Sequence, residues 1–323
     1  MTRAVCMTGL LNNGIAASVL VIIVLLSSAT LAQEASDPAL SESGADTCLT
    51  CHNSQNMLAI FRTPHGQQAD PDAPMASLQC ESCHGPGGNH SGRRSIGPKH
   101  ASIVAFGLDA ATSMTDQDAV CTGCHDGDIA PGWVASEHAQ SDVGCIGCHN
   151  VHNPVDPVGT HAGQNAVCFD CHTEQQADSM KPFTHPLRAD APVRVNAMVC
   201  TDCHNPHASV ASGLLSRNTT NEVCFECHAE FRGPVLFDHA PVSEDCGNCH
   251  QPHGSIHPAM LSRRAPLLCQ SCHSQSGHPS LSFTDDGLAG GSRPSPMLIG
   301  QSCMNCHTQV HGSNHPSGFS LMR

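Results

Sequence analysis

One short string constrains this chain more than any other feature: Cys-x-x-Cys-His occurs ten times within 323 residues. The ten copies use 20 of the 21 cysteines, and the remaining one, Cys6, precedes them all. The copies are numbered here as sites 1 to 10 in chain order: Cys48–His52, Cys80–His84, Cys121–His125, Cys145–His149, Cys168–His172, Cys200–His204, Cys224–His228, Cys246–His250, Cys269–His273 and Cys303–His307. A fold that satisfies this repeat has little freedom to build an ordinary side-chain core.

The spacing within the repeat has a chemical explanation. Two thiols three residues apart can form thioethers with the two vinyl groups on one edge of a porphyrin, and the next residue is then held beneath the iron as its proximal ligand. An isolated Cys-x-x-Cys is more often a zinc half-site or a redox dithiol. Only 24 of the 323 residues are histidine, however, so a histidine after all ten copies is not a coincidence. The repeat therefore predicts ten covalently attached haem c groups.

This prediction assigns a role to every residue of the repeat. The predicted thioether cysteines are Cys48, Cys51, Cys80, Cys83, Cys121, Cys124, Cys145, Cys148, Cys168, Cys171, Cys200, Cys203, Cys224, Cys227, Cys246, Cys249, Cys269, Cys272, Cys303 and Cys306. The predicted proximal ligands are His52, His84, His125, His149, His172, His204, His228, His250, His273 and His307. No catalytic residue is predicted.

Fourteen histidines lie outside the repeat, and their spacing sorts ten of them into two alternating classes. After odd-numbered sites a histidine comes late; this class is His65, His138, His185, His239 and, at a shorter distance, His278. After even-numbered sites a histidine comes early; this class is His90, His152, His207, His253 and His311. These ten are the predicted distal ligands, and the chain is predicted to consist of five two-haem units. His100, His161, His257 and His315 are left over, with His315 competing with His311.

The early histidines are predicted to bind a haem other than the one attached beside them. His152, His207 and His253 each lie three residues past a proximal histidine. Two histidines on opposite faces of one iron place their Cα atoms about 12–13 Å apart, whereas three extended residues span at most about 10–11 Å. Methionine, the other common axial ligand, recurs at no fixed offset, so bis-histidine haems of low potential are expected.

Composition supports a fold organised by haem. Aromatic residues make up 3% of the chain, with no Tyr, one Trp and nine Phe, so the side chains that usually build a core are scarce. The predicted fold class is a multihaem cytochrome c, mostly coil with short helices wrapped around an elongated stack of ten haems, with little or no β-sheet. Helix is expected near Gln164–Gln176 and Asn221–Phe231. Residues 33–323 are predicted to form a single decahaem domain, with two pentahaem halves meeting near 175–195 as the alternative.

The first 32 residues predict export. Arg3 is followed by an apolar run from Gly14 to Leu26, and Thr30-Leu31-Ala32 offers small residues for cleavage. The alternative, an uncleaved membrane anchor, is disfavoured because the run is short for a bilayer span. Covalent haem attachment outside the cytoplasm agrees with a periplasmic location. The formal net charge of −14 disfavours nucleic acid as a partner.

Several further stretches resemble a known family. Cys203–His207 reads Cys-His-Asn-Pro-His, 137–140 reads Glu-His-Ala-Gln, 238–241 reads Asp-His-Ala-Pro, and 309–318 reads Gln-Val-His-Gly-Ser-Asn-His-Pro-Ser-Gly. With the ten sites, they resemble the DmsE/MtrA family of periplasmic decahaem cytochromes. The resemblance implies an outer-membrane β-barrel protein that sheathes the cytochrome. It also implies an extracellular multihaem cytochrome or reductase as one partner, and periplasmic cytochromes or an inner-membrane quinol dehydrogenase as another.

Three functions remain open at this point. The first is a conduit that carries electrons between periplasm and cell exterior as the insert of an outer-membrane porin–cytochrome complex. The second is a soluble periplasmic electron shuttle with no barrel. The third is a multihaem reductase, which needs an iron with an open coordination position. All ten sites end in histidine and a distal candidate exists for every iron, so an electron carrier is favoured over an enzyme.

Overall fold

The computed structural model describes residues 39–91, 103–127, 129–187, 198–273, 288–289, 293–294 and 302–322. These residues belong to one compact unit, Pro38–Arg323. The predicted leader, His100 and His278 lie outside the described residues. All ten Cys-x-x-Cys-His sites lie within them.

The helices of the described residues are short, the longest having nine residues. The α-helices are α1 (Ala45–Leu49), α2 (Gln55–Leu58), α3 (Glu81–His84), α4 (Gly88–Ser91), α5 (Met114–Thr122), α6 (Ala130–Trp133), α7 (Glu137–Gln140), α8 (Gln164–Phe169), α9 (Thr173–Ser179), α10 (Thr220–Cys224), α11 (Ala240–Glu244) and α12 (Ala265–Gln270). Single 3₁₀ turns occupy Ala59–Arg62, Pro64–Gly66, Pro74–Ala76, Cys145–Gly147, Pro157–Gly159, Cys200–Asp202, Ser212–Leu214, Ala229–Phe231, Cys246–Asn248, Pro258–Met260 and Ser302–Asn305.

Extended structure is sparse in the part of the chain that the structure describes. Strand β1 (Leu288–Ala289) pairs antiparallel with β2 (Arg293–Pro294). Isolated bridges elsewhere join single residues, such as His204 with Leu215 and His250 with Leu261. The predicted fold class, mostly coil with short helices and little sheet, is confirmed.

Both predicted helices are present but each is interrupted at a site. The first divides into α8 and α9, and the second into α10 and the 3₁₀ turn Ala229–Phe231. The interruption occurs because His172 and His228 leave the helical region, with ψ angles of 62° and 49°. At these two sites the helix therefore ends before the histidine.

Every Cys-x-x-Cys-His site is one closed turn of backbone. In all ten, the histidine N–H donates to the carbonyl of the first cysteine at 2.8–3.0 Å. In all ten, the N–H of the second cysteine also donates to that carbonyl, at 3.2–3.3 Å. These are α-type and 3₁₀-type bonds, and they place both cysteines and the histidine on one short turn.

Odd and even sites are reached by different elements. The first cysteines of the odd sites lie in the last turns of α1, α5, α8, α10 and α12. Even sites 4, 6, 8 and 10 start in 3₁₀ turns, and site 2 leads into α3. Polar N-caps begin several of the helices: Ser113 accepts from the N–H of Asp116, and Thr219 from that of Glu222. The alternation of the histidine classes thus has a counterpart in the backbone.

The polypeptide buries few apolar side chains of its own. Among the described residues these are Ala45, Ala59, Ala73, Met75, Trp133, Phe169, Val199, Leu214 and Val223, and only two of them are large aromatics. No helix of the described residues is long and apolar enough to cross a membrane.

Candidate haem-binding sites

The predicted ligands come together in pairs. For nine of the ten sites, the ring of the proximal histidine lies opposite one predicted distal histidine, with ring centroids 6.0–6.5 Å apart. In site order the pairs are His52–His90, His84–His152, His125–His65, His149–His207, His172–His138, His204–His253, His228–His185, His250–His311 and His273–His239. No group of three or more His, Cys, Asp or Glu gathers around one point among the described residues.

The ring separation fits an iron between the two imidazoles. A metal–imidazole bond is about 2 Å long and the ring centre lies about 1.1 Å beyond the nitrogen, so two rings on one iron have centroids about 6.2 Å apart. The observed separations lie within a few tenths of an ångström of that value. A porphyrin supplies the other four ligands of such an iron, so two protein ligands per site complete the set.

The pairs follow one rule when the chain is divided into its five units. Unit 1 spans 48–90, unit 2 spans 121–152, unit 3 spans 168–207, unit 4 spans 224–253 and unit 5 spans 269–311. The late histidine of each unit faces the odd site of the next unit, and the early histidine of each unit faces the even site of the unit before. Each of the four junctions therefore carries two histidine pairs that run in opposite directions.

The early histidines face away from the site beside them. His207 lies 6.1 Å from His149 of unit 2, and His253 lies 6.0 Å from His204 of unit 3. His152 likewise faces His84 at 6.5 Å. Each of the three therefore faces a site other than the one beside it in sequence, as expected from the short reach of three extended residues.

Unit 1 departs from the rule, whereas the early histidine of unit 5 follows it. His90, the early histidine of unit 1, faces His52 of the same unit. At the other end, His311 faces His250 at 6.1 Å with the rings 20° apart. His311 rather than His315 thus occupies the place opposite His250, while Nδ1 of His315 accepts the N–H of Ser317.

Hydrogen bonds at Nδ1 orient many of these rings. The proximal His84, His204, His250 and His307 bond the carbonyls of Val104, Gly213, Ala259 and Ser320 at 2.7–2.9 Å. An Nδ1–H that donates to a carbonyl leaves the neutral Nε2 lone pair for a metal. At His149 the partner is the Asp156 carboxylate instead, at 2.7 Å.

The late histidines are bonded to the backbone beside the early ones. His138 bonds the carbonyl of Pro206, and His185 bonds the carbonyl of Pro252. His239 bonds the carbonyl of Val310 in the same way at 2.9 Å. Since each carbonyl directly precedes an early histidine, one hydrogen bond braces both histidine pairs of a junction.

Burial and the facing imidazole act on the distal rings in the same direction. For His65, His152, His207, His253 and His311, burial lowers the pKa and the facing proximal histidine lowers it further. A lower pKa favours the neutral imidazole, which is the form that binds a metal.

The cysteines connect the ten sites in chain order. Within each unit, the thiols of the first cysteines of the odd and even site lie close enough to act on each other's pKa: Cys48 with Cys80, Cys121 with Cys145, Cys168 with Cys200, Cys224 with Cys246 and Cys269 with Cys303. Between units, the second cysteine of the even site lies near the next odd site: Cys83 near Cys121, Cys148 near Cys168, Cys203 near Cys227 and Cys249 near Cys272. Each site thus lies beside the site before it and the site after it.

These contacts also change how readily the thiols ionise. Burial and the neighbouring Cys48 raise the pKa of the Cys80 thiol to about 11. Burial and Cys246 raise the pKa of Cys224 to about 12, and burial and Cys303 raise that of Cys269 to about 11. In the unmodified chain these raised pKa values keep the thiols protonated at neutral pH.

A polar side chain that the sequence analysis missed closes units 2, 3 and 4. Three residues before the odd site, Asp118, Asn165 or Asn221 accepts the N–H of the even site's first cysteine at 2.7–3.0 Å. The amide of Asn165 also donates to two backbone carbonyls, and that of Asn221 does the same. We call this residue the clamp. Its constant offset from the odd site was the signal that could have revealed it; units 1 and 5 have Ala45 and Pro266 there.

Comparison with known proteins gives matches along the same repeat. The family model of the doubled CXXCH motif matches residues 138–177, 191–233 and 239–278. The family model of cytochrome c554 and c-prime matches residues 26–85. The multihaem cytochrome MtrA of Shewanella baltica is 44% identical over 297 residues, which are 91% of this chain and 86% of that protein. The C-type polyhaem cytochrome OmcC of Geobacter sulfurreducens is 28% identical over 138 residues, covering 39% of this chain and 15% of OmcC.

Fold, paired histidines and family matches together define a multihaem c-type cytochrome with covalently attached haem, a protein that transfers electrons. The prediction of haem c as cofactor is confirmed, and ten groups agree with the number of sites. The identity to MtrA extends over nearly the whole of both chains. The chain belongs to the MtrA family of multihaem cytochromes, as the resemblance predicted.

Proposed function

We propose that this chain is the electron-carrying insert of an outer-membrane porin–cytochrome conduit and joins the periplasm to the cell exterior. The observation that carries the proposal is the unbranched order of the sites, each beside its two neighbours in sequence. An unbranched series has two ends and is suited to passing charge from one to the other. The bound haem irons supply the redox chemistry by taking up and releasing one electron each.

The protein's own part is to hold ten sites in a fixed order. In this proposal both cysteines of each site form the thioethers, the histidine that follows is the proximal ligand, and the facing histidine is the distal ligand. Two histidine pairs cross every junction, so neighbouring units cannot separate without the loss of two ligands. His278 is the distal ligand proposed for site 10, because the other nine predicted distal histidines are already assigned.

The same arrangement favours a carrier over an enzyme. Nine sites have a histidine on each side, which leaves no open position for a substrate at those irons. A reductase requires such a position. Carbon monoxide should therefore not bind to the reduced holoprotein as isolated.

The proposed location is the periplasmic face of the outer membrane, reached through the cleaved leader of residues 1–32. The proposed partners are an outer-membrane β-barrel protein, an extracellular multihaem cytochrome or reductase, and periplasmic cytochromes or an inner-membrane quinol dehydrogenase. Family membership and the resemblance support these assignments.

The test is to solubilise native outer membranes in mild detergent, isolate this cytochrome by its haem absorbance and identify what copurifies. The proposal expects a β-barrel protein in stoichiometric amount. Recovery of the cytochrome alone, in the periplasmic fraction, would overturn the conduit and leave a soluble shuttle. Carbon monoxide binding to the isolated protein would instead favour the reductase.

A further inference from the structure

One proximal histidine has a hydrogen-bond partner of a different chemical kind. Nδ1 of His149 at site 4 bonds a carboxylate oxygen of Asp156 at 2.7 Å. At the even sites 2, 6, 8 and 10 the partner at this position is a neutral backbone carbonyl. The position in the turn is comparable, since Asp156 lies seven residues past His149 and the Gly213 and Ala259 carbonyls lie nine residues past their histidines.

A carboxylate changes what an imidazole offers to a metal. Its negative charge draws the Nδ1 proton toward itself and makes Nε2 a stronger electron donor. A stronger donor favours ferric over ferrous iron and so lowers the reduction potential. A backbone carbonyl fixes the same ring orientation without a net charge.

The clamp of the same unit is also a carboxylate. Asp118 is 8% exposed and accepts the backbone N–H of Cys145 through one oxygen and the indole N–H of Trp133 through the other. Its hydrogen bond to the N–H of Cys145, at 2.9 Å, places its charge beside the thioether positions of unit 2. The equivalent clamps, Asn165 and Asn221, are uncharged amides.

We propose that Asp156 and Asp118 give the two sites of unit 2 lower reduction potentials than the four sites of the equivalent units 3 and 4. Of these six sites, site 4 has the lowest potential. Two independent carboxylates point to the same unit, one at a ligand ring and one at the thioether positions. Asp156 is a positioning residue in this role because it acts through His149. The inference deepens the proposed electron-carrying function and rests on the ligand assignment given there.

Exposure sets the size of the expected effect. The side chains of His149 and Asp156 are 40% and 31% exposed, so water screens part of the charge. Loss of a hydrogen-bond partner of a metal ligand typically changes metal affinity or activity by about 10-fold to 100-fold. Because water screens this pair, we expect an effect at the low end of that range. We expect about a tenfold change in the oxidised-to-reduced ratio of site 4 at a fixed potential, or about 59 mV for one electron.

The experiment is a redox titration of the full holoprotein followed by haem absorbance and electron paramagnetic resonance. Asp156→Asn keeps the shape and one acceptor oxygen while removing the charge. We expect one haem of the ten to move to higher potential, together with a change in the signal of its ferric form. The matched control is Asp72→Asn, which removes an equal charge from an exposed residue that is distant in sequence from both Asp118 and Asp156.

A reciprocal pair of clamp variants tests the second carboxylate. Asp118→Asn should raise the potentials of unit 2, and Asn165→Asp should lower those of unit 3. A purely structural role predicts that both variants lose stability without potential shifts of opposite sign. The Asn165→Asp arm keeps the inference falsifiable if Asp118→Asn does not fold.

The outcomes separate this inference from the function on which it rests. If Asp156→Asn shifts no haem beyond the shift in Asp72→Asn, while all haems keep bis-histidine spectra, the inference is wrong and the electron relay is unaffected. If the parent protein contains haems without two histidine ligands, the ligand assignment itself is wrong.

Discussion

Units 2 and 3 are built on one backbone plan but differ in charge. In both, an α-helix leads into the odd site, a clamp residue accepts the N–H of the even site's first cysteine, and histidines cross to the neighbouring units. Unit 2 has carboxylates, Asp118 and Asp156, where unit 3 has the amide of Asn165 and the carbonyl of Gly213. The plan that holds the sites is therefore separable from the electrostatics that act on them.

The largest expected effect comes from removing a proposed distal ligand, His207, which belongs to unit 3 in sequence and faces a site of unit 2. His207→Ala should open the coordination of site 4 in unit 2 and leave site 6, beside it in sequence, unchanged. One haem of ten should become five-coordinate and bind carbon monoxide when reduced. Absorbance and resonance Raman spectra of the reduced protein measure this.

His253→Ala is the matched variant, because it opens site 6 in unit 3 by the same loss. The iron–histidine stretch should lie at higher frequency in His207→Ala, whose remaining ligand His149 is bonded to a carboxylate, than in His253→Ala, whose His204 is bonded to a carbonyl. Equal frequencies would remove the chemical distinction between the units. If carbon monoxide bound instead at the site next to the mutated residue in sequence, which is site 6 for His207→Ala and site 8 for His253→Ala, the crossing of the ligands between units would be contradicted.

Loss of the clamp in unit 3 should lower the free energy of unfolding by more than the loss of one hydrogen bond does. Asn165→Leu leaves the N–H of Cys200 and the carbonyls of Leu187 and Met198 without their partner. Because Asn165 is only 5% exposed, we expect a loss of about 2–4 kcal/mol in the free energy of unfolding. Thermal unfolding followed by Soret circular dichroism tests it. Asn221→Leu in unit 4 should lose a similar amount, and an unchanged melting temperature in both would contradict the clamp.

The clamp of unit 2 has a support of its own, with a smaller expected effect. Trp133→Phe removes the indole N–H that donates to Asp118 and leaves one buried carboxylate oxygen without that donor. We expect a loss of about 1–3 kcal/mol in the free energy of unfolding. The double variant Trp133→Phe with Asp118→Asn should recover part of it, since an uncharged clamp costs less to leave unpaired. No recovery in this cycle would contradict the pairing.

The smallest effect is expected at a longer carboxylate contact. Glu230 lies 3.5 Å from Nδ1 of His228 at site 7, and both side chains are more than half exposed. Glu230→Gln should shift the potential of that site several-fold less than Asp156→Asn shifts site 4, because distance and water weaken the interaction. The same redox titration measures both. A shift of equal size would mean that net charge, rather than contact with the imidazole, sets the potentials.

The repeat was readable because its chemistry is local. Two cysteines and a histidine within five residues lie on one turn, so the ten sites could be predicted without a fold. The exclusion of His207 from its neighbouring site was predictable for the same reason, since it depends on the reach of three residues. The clamp was missed because Asn165 acts on Cys200, which lies 35 residues away.

The amino-acid sequence alone determined the cofactor, the number of sites and the two spacing classes of the predicted distal histidines, because each depends on spacing along a short stretch of chain. Only the tertiary structure decided which histidine faces which site, as in the 6.1 Å pair of His149 and His207. It also decided that Asp156 bonds His149, whereas Gly213 bonds His204 through its carbonyl. The physical reason is that these relations depend on how the loops between sites close, and many closures satisfy the same spacing in sequence.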